Sequence, residues 1–184
     1  MNVPEIHVCP LSRLEETVTR TGARRLLSLL AAGTEMTRPA MIRPEDHLHL
    51  VMHDIAEAQD GMTLPGEAHV ARLLGFARDW DRALPLVVHC YAGISRSTAA
   101  AYIIAAALAP ERDEEELART LRALSPSATP NPRLIAVADA MLERRGRMVA
   151  AIKAIGRGAE AFTGVPFGLR IDAGLSRTAL HNHP

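Results

Sequence analysis

The sequence is poor in several kinds of residue, and each shortage excludes a class of protein. Two cysteines among 184 residues are too few for the disulfide framework of a small secreted domain. Acidic and basic residues both number 21, so no net field draws the chain to nucleic acid or to an anionic membrane. The longest apolar stretch, residues 98–108, is too short for a membrane span of about 20 residues.

The first residues, MNVPE, lack the basic start and apolar run of a signal peptide. Together with the scarcity of cysteine, this predicts a cytoplasmic protein in a reducing environment. The balanced charge and the short apolar stretch predict that neither nucleic acid nor a membrane is a partner. No cluster of His, Cys, Asp or Glu has metal-ligand spacing, so no metal and no other cofactor is expected.

Apolar and polar residues are arranged in blocks that predict strands followed by helices. Strands are predicted at 6–11, 24–30, 47–52 and 86–89, and helices at 12–21, 66–82, 97–108, 111–124, 133–144 and shortly after 146. Ser12 is predicted to cap the first helix in a capping box with Glu15, and Gly22 to end it. This alternation indicates an α/β fold with a small, mostly parallel central sheet flanked by helices.

The length of the chain predicts one domain. We place it at residues 1–160. Residues 161–184 are rich in glycine and show no periodicity, so they are predicted to be a C-terminal extension without assignable structure.

Residues 87–97, VVHCYAGISRS, carry the most chemistry. An apolar strand, typical of a central parallel strand, runs into Cys90, and a helix that is apolar on nearly every face follows. Backbone N–H groups between such a strand and helix can turn inward and form an anion-binding nest, helped by the helix dipole. The predicted phosphate-binding residues are those of this loop: Tyr91, Ala92, Gly93, Ile94, Ser95 and Arg96.

Four side chains around this loop have predicted roles. Cys90 is the candidate nucleophile, because positive surroundings stabilise a thiolate. The Arg96 guanidinium can hold two phosphate oxygens in a bidentate fork. The Ser97 hydroxyl can donate to the sulfur and ease its departure. His89 is expected to orient the loop through backbone hydrogen bonds and not to act as a base.

The motif HCYAGISRS resembles the signature loop of the cysteine-based protein tyrosine phosphatases. The GxSRS form and the short chain resemble the compact dual-specificity branch, and the resemblance covers residues 6–143. It implies a tyrosine-phosphatase-like fold with the catalytic loop between a central strand and a buried helix. It also implies an enzyme that hydrolyses phosphomonoesters through a phosphocysteine intermediate, with an aspartic acid on a separate loop and no metal.

The same resemblance implies candidates for the general acid and for a supporting residue. Asp54 follows the predicted strand 47–52 and lies 36 residues before Cys90, and Asp60, in the same loop, is the alternative. For either residue, a solvated carboxylate is the ordinary role. Asn131 either braces the signature loop or simply caps the helix that starts at Pro132.

The sequence leaves the substrate open. Tyr91, Ala92 and Ile94 are neutral where phosphoinositide-specific relatives often carry lysines, so the resemblance disfavours inositol phosphates. Six aromatic residues show no motif for a deep phosphotyrosine slot. The predicted partner is therefore a phosphorylated protein, on tyrosine or on serine/threonine, or a small phosphoester.

Other interpretations stay open at this point. The chain could be a catalytically weak module that docks phosphorylated partners. It is less typical of a thiol redox enzyme such as an arsenate reductase, because the loop lies in mid-chain with no adjacent second cysteine. Cys9 is either a small core residue or the partner of Cys90 in a regulatory disulfide. No oligomeric state is predicted.

Overall fold

The computed structural model describes residues 4–172, and its centre is a sheet of five strands. The strands are β1 (Glu5–Pro10), β2 (Arg25–Leu30), β3 (His47–Val51), β4 (Leu86–Cys90) and β5 (Phe167–Arg170). Their order across the sheet is β3-β2-β4-β1-β5. The first four are parallel, and β5 runs antiparallel to β1. The predicted α/β fold with a mostly parallel sheet is confirmed.

Within residues 4–172, six α-helices cover this sheet. They are α1 (Leu14–Thr21), α2 (Glu67–Arg78), α3 (Arg96–Leu108), α4 (Glu114–Leu124), α5 (Pro132–Met141) and α6 (Arg147–Ile155). Helix α3 follows β4 after a loop of residues 91–95. It is buried from Arg96 to Ala106, as its apolar sequence predicts. In the described part of the chain, no helix is both long enough and apolar enough to cross a membrane.

Alternate residues of the inner strands face two separate cores. Val8 and Val88 belong to the larger core with α2 to α6, whereas Cys9 and Val87 pack in a smaller core with α1. Strand β4 is therefore buried at every position. A central parallel strand covered on both faces holds the loop that follows it in a fixed place.

The predicted capping box at the start of the first helix is wrong. Leu11–Arg13 forms a 3-10 turn, α1 begins at Leu14, and no side chain caps its N-terminus. The Leu11 N–H donates instead to the carbonyl of Tyr91, at 3.1 Å, so pairing with the loop after β4 outweighs the local signal. Gly22 ends α1 as predicted, in the left-handed region with φ of 68°.

Other elements also differ from the sequence prediction: α4 begins at Glu114 and not at residue 111, and α5 ends at Met141 and not at residue 144. Helix α2 stops at Arg78, four residues earlier than predicted, where the Trp80 indole N–H donates to the Leu84 carbonyl across a turn into β4. Strand β5 is absent from the sequence prediction, although it pairs Leu169 with Ile6 of β1. The boundary at residue 160 stays a prediction, and residues 173–184 of the predicted extension lie outside the described part.

Candidate active site

The loop between β4 and α3 packs against the end of β1. Gly93 is the residue that allows this contact, because its φ of +70° is unfavourable for other residues. A Cβ there would lie only 2.7 Å from the Pro10 nitrogen. Gly93 therefore meets both requirements of this tight turn, a left-handed backbone and room for close approach.

Cys90 lies at the carboxyl end of β4, with its sulfur enclosed by the loop. The thiol is 2 % exposed. Its Sγ accepts a hydrogen bond from the Gly93 N–H at 3.3 Å and lies 3.1 Å from the Ser97 hydroxyl. The sulfur therefore lies beside a backbone donor, the Ser97 hydroxyl and the positive end of the α3 dipole.

The Arg96 guanidinium has one edge bound to protein and one edge available. Its Nη1 donates to the Met52 carbonyl at 2.9 Å, which fixes the side chain, only 7 % exposed, against the end of β3. Its buried Nε has no hydrogen-bond partner among residues 4–172. A buried donor without a partner costs about 1–3 kcal/mol, so this edge suits an anion next to Cys90.

Asp54 reaches the same loop from the other side. One carboxylate oxygen, Oδ1, accepts hydrogen bonds from the Ser95 hydroxyl at 2.7 Å and from the Asn131 amide at 2.8 Å. Asp60 is exposed farther along the segment that joins β3 to α2. Of the two predicted acids, Asp54 is the one whose carboxylate is hydrogen-bonded to the loop after β4.

Asn131 makes hydrogen bonds both within the first turn of α5 and to the loop after β4. Its side-chain oxygen accepts from the Leu134 N–H at 3.0 Å, capping α5. Its backbone N–H donates to the Ser95 carbonyl at 3.2 Å, and its side-chain amide holds Asp54. Two residues earlier, the Thr129 N–H donates to the Ile94 carbonyl at 2.9 Å. This turn therefore supports the loop and Asp54 together.

His89 is fully buried behind the loop in a chain of polar side chains. Its Nδ1 lies 3.3 Å from the Cys90 carbonyl and its Nε2 lies 2.6 Å from the Ser28 hydroxyl, which is 2.9 Å from Nε2 of His47. A carbonyl only accepts, so His89 donates from Nδ1 and accepts at Nε2 from Ser28, and Ser28 in turn accepts from His47. Ser28 and His47 are missing from the sequence prediction.

Burial lowers the pKa of His89 to about 4 and that of His47 also to about 4. Both rings are therefore neutral near pH 7, which agrees with a supporting role for His89 and not with a role as a base. A clue to this chain of polar side chains was present in the sequence: Ser28 is a single hydroxyl among the four leucines of the strand RLLSLL.

The buried histidine makes stability depend on pH. The pKa of His89 is about 4 in the folded protein against 6.5 when unperturbed, so between these values the unfolded chain binds more protons. Stability should be complete above about pH 6.5 and fall as the pH drops towards 4, by about 3 kcal/mol from His89 alone. Urea unfolding at several pH values measures this. In His89→Asn the slope over this window should be smaller, and an unchanged slope would contradict the assignment.

Cys9 lies in the smaller core and is 1 % exposed. Burial raises its pKa to about 12, so it is a neutral thiol, and both cysteines are free. These features favour the interpretation as a core residue, while redox pairing with Cys90 stays a prediction. Among residues 4–172, no group of three or more His, Cys, Asp or Glu is placed to hold a metal ion.

No protein-family model and no curated protein sequence matches this chain. Solved structures do match it. The crystal structure of DUSP15 superposes with a TM-score of 0.61 at 16% identity, covering 84% of this chain and 94% of that chain. Human DUSP28 gives 0.57 at 15%, covering 82% and 95%, and the Cydia pomonella PTP-2 phosphatase gives 0.56 at 16%, covering 73% and 84%. The chain therefore has the compact fold of dual-specificity and tyrosine phosphatases. Similarity at this level of identity establishes the fold alone.

Proposed function

We propose that this protein, which shares the fold of dual-specificity phosphatases, is a phosphomonoester hydrolase that acts through a phosphocysteine intermediate. The observation that carries the proposal is the unpartnered, buried Nε of Arg96 in the loop that encloses the Cys90 sulfur. We infer that this edge, the loop N–H groups and the Cys90 thiolate act on one tetrahedral anion, which would satisfy the unpartnered donor. A cytoplasmic location and a phosphorylated protein or small phosphoester as substrate belong to the same proposal.

In the first step the Cys90 thiolate attacks phosphorus. A sulfur–phosphorus bond forms while the bond to the leaving oxygen breaks. The free edge of Arg96 and the N–H groups of residues 91–96 hold the equatorial oxygens, whose charge must be stabilised in the transition state. Asp54 gives its proton to the leaving oxygen. Because Ser95 and Asn131 hold Oδ1, the proton is carried by Oδ2.

In the second step water attacks the phosphocysteine. The Asp54 carboxylate now accepts the proton of the water, as microscopic reversibility requires of an acid that has just given one up. The sulfur–phosphorus bond breaks, and phosphate is released. Ser97, with its hydroxyl 3.1 Å from Sγ, donates to the departing sulfur and stabilises it as a thiolate.

Two adjacent loop residues tie the acid to the phosphate site. Ser95 holds Asp54, and Arg96 holds the carbonyl of Met52, two residues before Asp54. These two bonds join the segment that carries Asp54 to the residues proposed to bind phosphate. This coupling supports Asp54 as the general acid, since proton transfer depends on its distance from the bound phosphate.

Replacing Asp54 by Asn should lower kcat by about 10²–10⁴-fold on a phosphopeptide, because its alkoxide or phenoxide leaves poorly without a proton. The loss should be much smaller on para-nitrophenyl phosphate, whose leaving group is already activated. Asp60→Asn, in the same exposed segment, is the matched control and should stay within severalfold of wild type. If Asp60→Asn shows this leaving-group dependence instead, the acid is Asp60.

One panel tests the function as a whole. Wild type and Cys90→Ser are compared on phosphopeptides, nucleotides, inositol phosphates and para-nitrophenyl phosphate. Turnover by wild type that Cys90→Ser abolishes supports the hydrolase. Binding of phosphopeptides by wild type without turnover of any substrate would favour the alternative, a phosphate-binding module.

A further inference from the structure

Residues 157–165, here called the rim segment, run from the end of α6 towards β5 and lie against the catalytic loop. Three hydrogen bonds hold the backbone of this segment. Gly158 N–H donates to the Thr129 hydroxyl at 3.1 Å, Ala159 N–H to the Pro126 carbonyl at 2.9 Å, and Gly164 N–H to the Ala92 carbonyl at 2.8 Å. The segment thus connects the turn that supports the loop with the loop itself.

At two glycines of the rim segment, the backbone lies so close to neighbouring backbone that no side chain would fit. A Cβ on Gly158 would lie 2.6 Å from the Ser127 carbonyl carbon, and one on Gly164 would lie 2.7 Å from the Gly93 oxygen. Backbone packs on backbone at both ends. The path of the rim segment is therefore fixed relative to the phosphate-binding loop.

Phe162 lies between these two fixed ends, and its side chain is 101% exposed. Its Cα is within about 7 Å of that of Gly164, two residues along the chain. Val165, 78% exposed, and Tyr91, 65% exposed, flank the same contact of Gly164 with Ala92. Single exposed apolar residues are common, but these three all lie within two residues, along the chain, of one backbone contact at the edge of the candidate active site.

The position of the acid indicates which part of the substrate this surface meets. A groove of about 610 Å³ runs between Asp54 and Ser95 on one side and residues 156–161 on the other. Asp54 protonates the leaving oxygen, so the leaving group lies on this side of the phosphate. Phe162 continues the outer wall of the groove with Arg157 and Glu160, whose opposite charges offset each other.

We propose that Phe162 is a specificity-determining residue that packs against the aromatic ring of a phosphotyrosine leaving group. The inference rests on the proposed phosphatase function. A ring offers a flat apolar face to Phe162, and aromatic pairs of this kind are favourable beyond the area they bury. A phosphoserine has a single methylene between its oxygen and the backbone and offers no such face.

The test compares two peptides of identical sequence that carry phosphotyrosine or phosphoserine. Phe162→Ala should lower kcat/KM about tenfold for the phosphotyrosine peptide, mainly through KM, and leave the phosphoserine value within twofold. Phe162→Trp should retain the preference, since it keeps an aromatic face. Leu84→Ala, which removes an exposed apolar side chain at the opposite end of β4, is the matched control and should match wild type. Inhibition by inorganic phosphate should be the same in all of these proteins.

An unchanged ratio of the two kcat/KM values in Phe162→Ala overturns the inference, and so does an equal loss on both peptides. Both outcomes leave the phosphatase proposal intact. If instead wild type hydrolyses neither peptide nor para-nitrophenyl phosphate, the proposed function fails, and this inference fails with it.

Discussion

Cys90→Ser should reduce turnover to below about one percent of wild type while the fold and phosphate binding persist. The serine hydroxyl stays protonated under conditions that ionise a thiol, so the nucleophile is lost. The Gly93 N–H, the Arg96 edge and the N-terminus of α3 remain, so the anion site is retained. Steady-state kinetics on para-nitrophenyl phosphate and calorimetric titration with inorganic phosphate measure the two effects separately.

Cys9→Ala is the matched control for this experiment. It removes the other thiol, which is buried in the smaller core and has no role in the proposed chemistry. Its turnover should stay within severalfold of wild type. Iodoacetamide should inactivate wild type and Cys9→Ala alike, and phosphate should protect both. Substantial turnover by Cys90→Ser would mean that another residue attacks phosphorus.

Arg96→Lys should be almost as damaging, with kcat/KM lowered by about 10²-fold or more. Lysine keeps the positive charge but lacks the planar guanidinium. In the structure one guanidinium nitrogen holds the Met52 carbonyl while Nε stays available, and a single ammonium cannot take both positions. If the ammonium keeps the bond to the Met52 carbonyl, the variant loses transition-state stabilisation, and if it binds phosphate, it loses its attachment to the segment that carries Asp54.

Arg112→Lys provides the comparison for Arg96→Lys. Arg112 is also buried, and it donates to the carbonyls of Arg170 and Ile171 far along the chain. Its replacement should lower the urea midpoint and leave kcat/KM nearly unchanged. If Arg96→Lys shows only that pattern, with retained kcat and KM, the guanidinium does not bind phosphate bidentately.

The part of the site that sequence reasoning predicted well is local in the chain. Strand β4, the loop and α3 are contiguous, and each has a strong signal: an apolar strand, a glycine that adopts a positive φ, and a helix without a polar face. Asp54 as general acid and Asn131 as a brace of the loop were predicted only through the family resemblance, whereas Asn131 as a helix cap followed from the Asn-Pro pair itself. Their mutual contact joins residues that the sequence keeps far apart, and no local pattern encodes it.

What the sequence did not predict depends on tertiary pairing. Strand β5 has four residues, one of them Gly168, and is stabilised by its hydrogen bonds with β1 rather than by local propensity. Ser12 predicted a capped helix, but the hydrogen bond between the Leu11 N–H and the Tyr91 carbonyl fixes a different local structure there. The sequence of the rim segment indicates only a loop with glycines. Its path is fixed by close backbone contacts with distant residues, which only glycine permits and no local pattern reveals.

The contact of Gly164 with Ala92 also bears on the order in which the protein can assemble. The two residues lie 72 positions apart in the sequence, so the contact has a high loop-closure cost and forms late compared with local structure. During synthesis, β4 can pair with β1 and β2, and α3 can pack on them, before residue 164 has left the ribosome. The loop after β4 is then in place before the rim segment packs against it, so the proposed phosphate site forms before the surface proposed to give it selectivity.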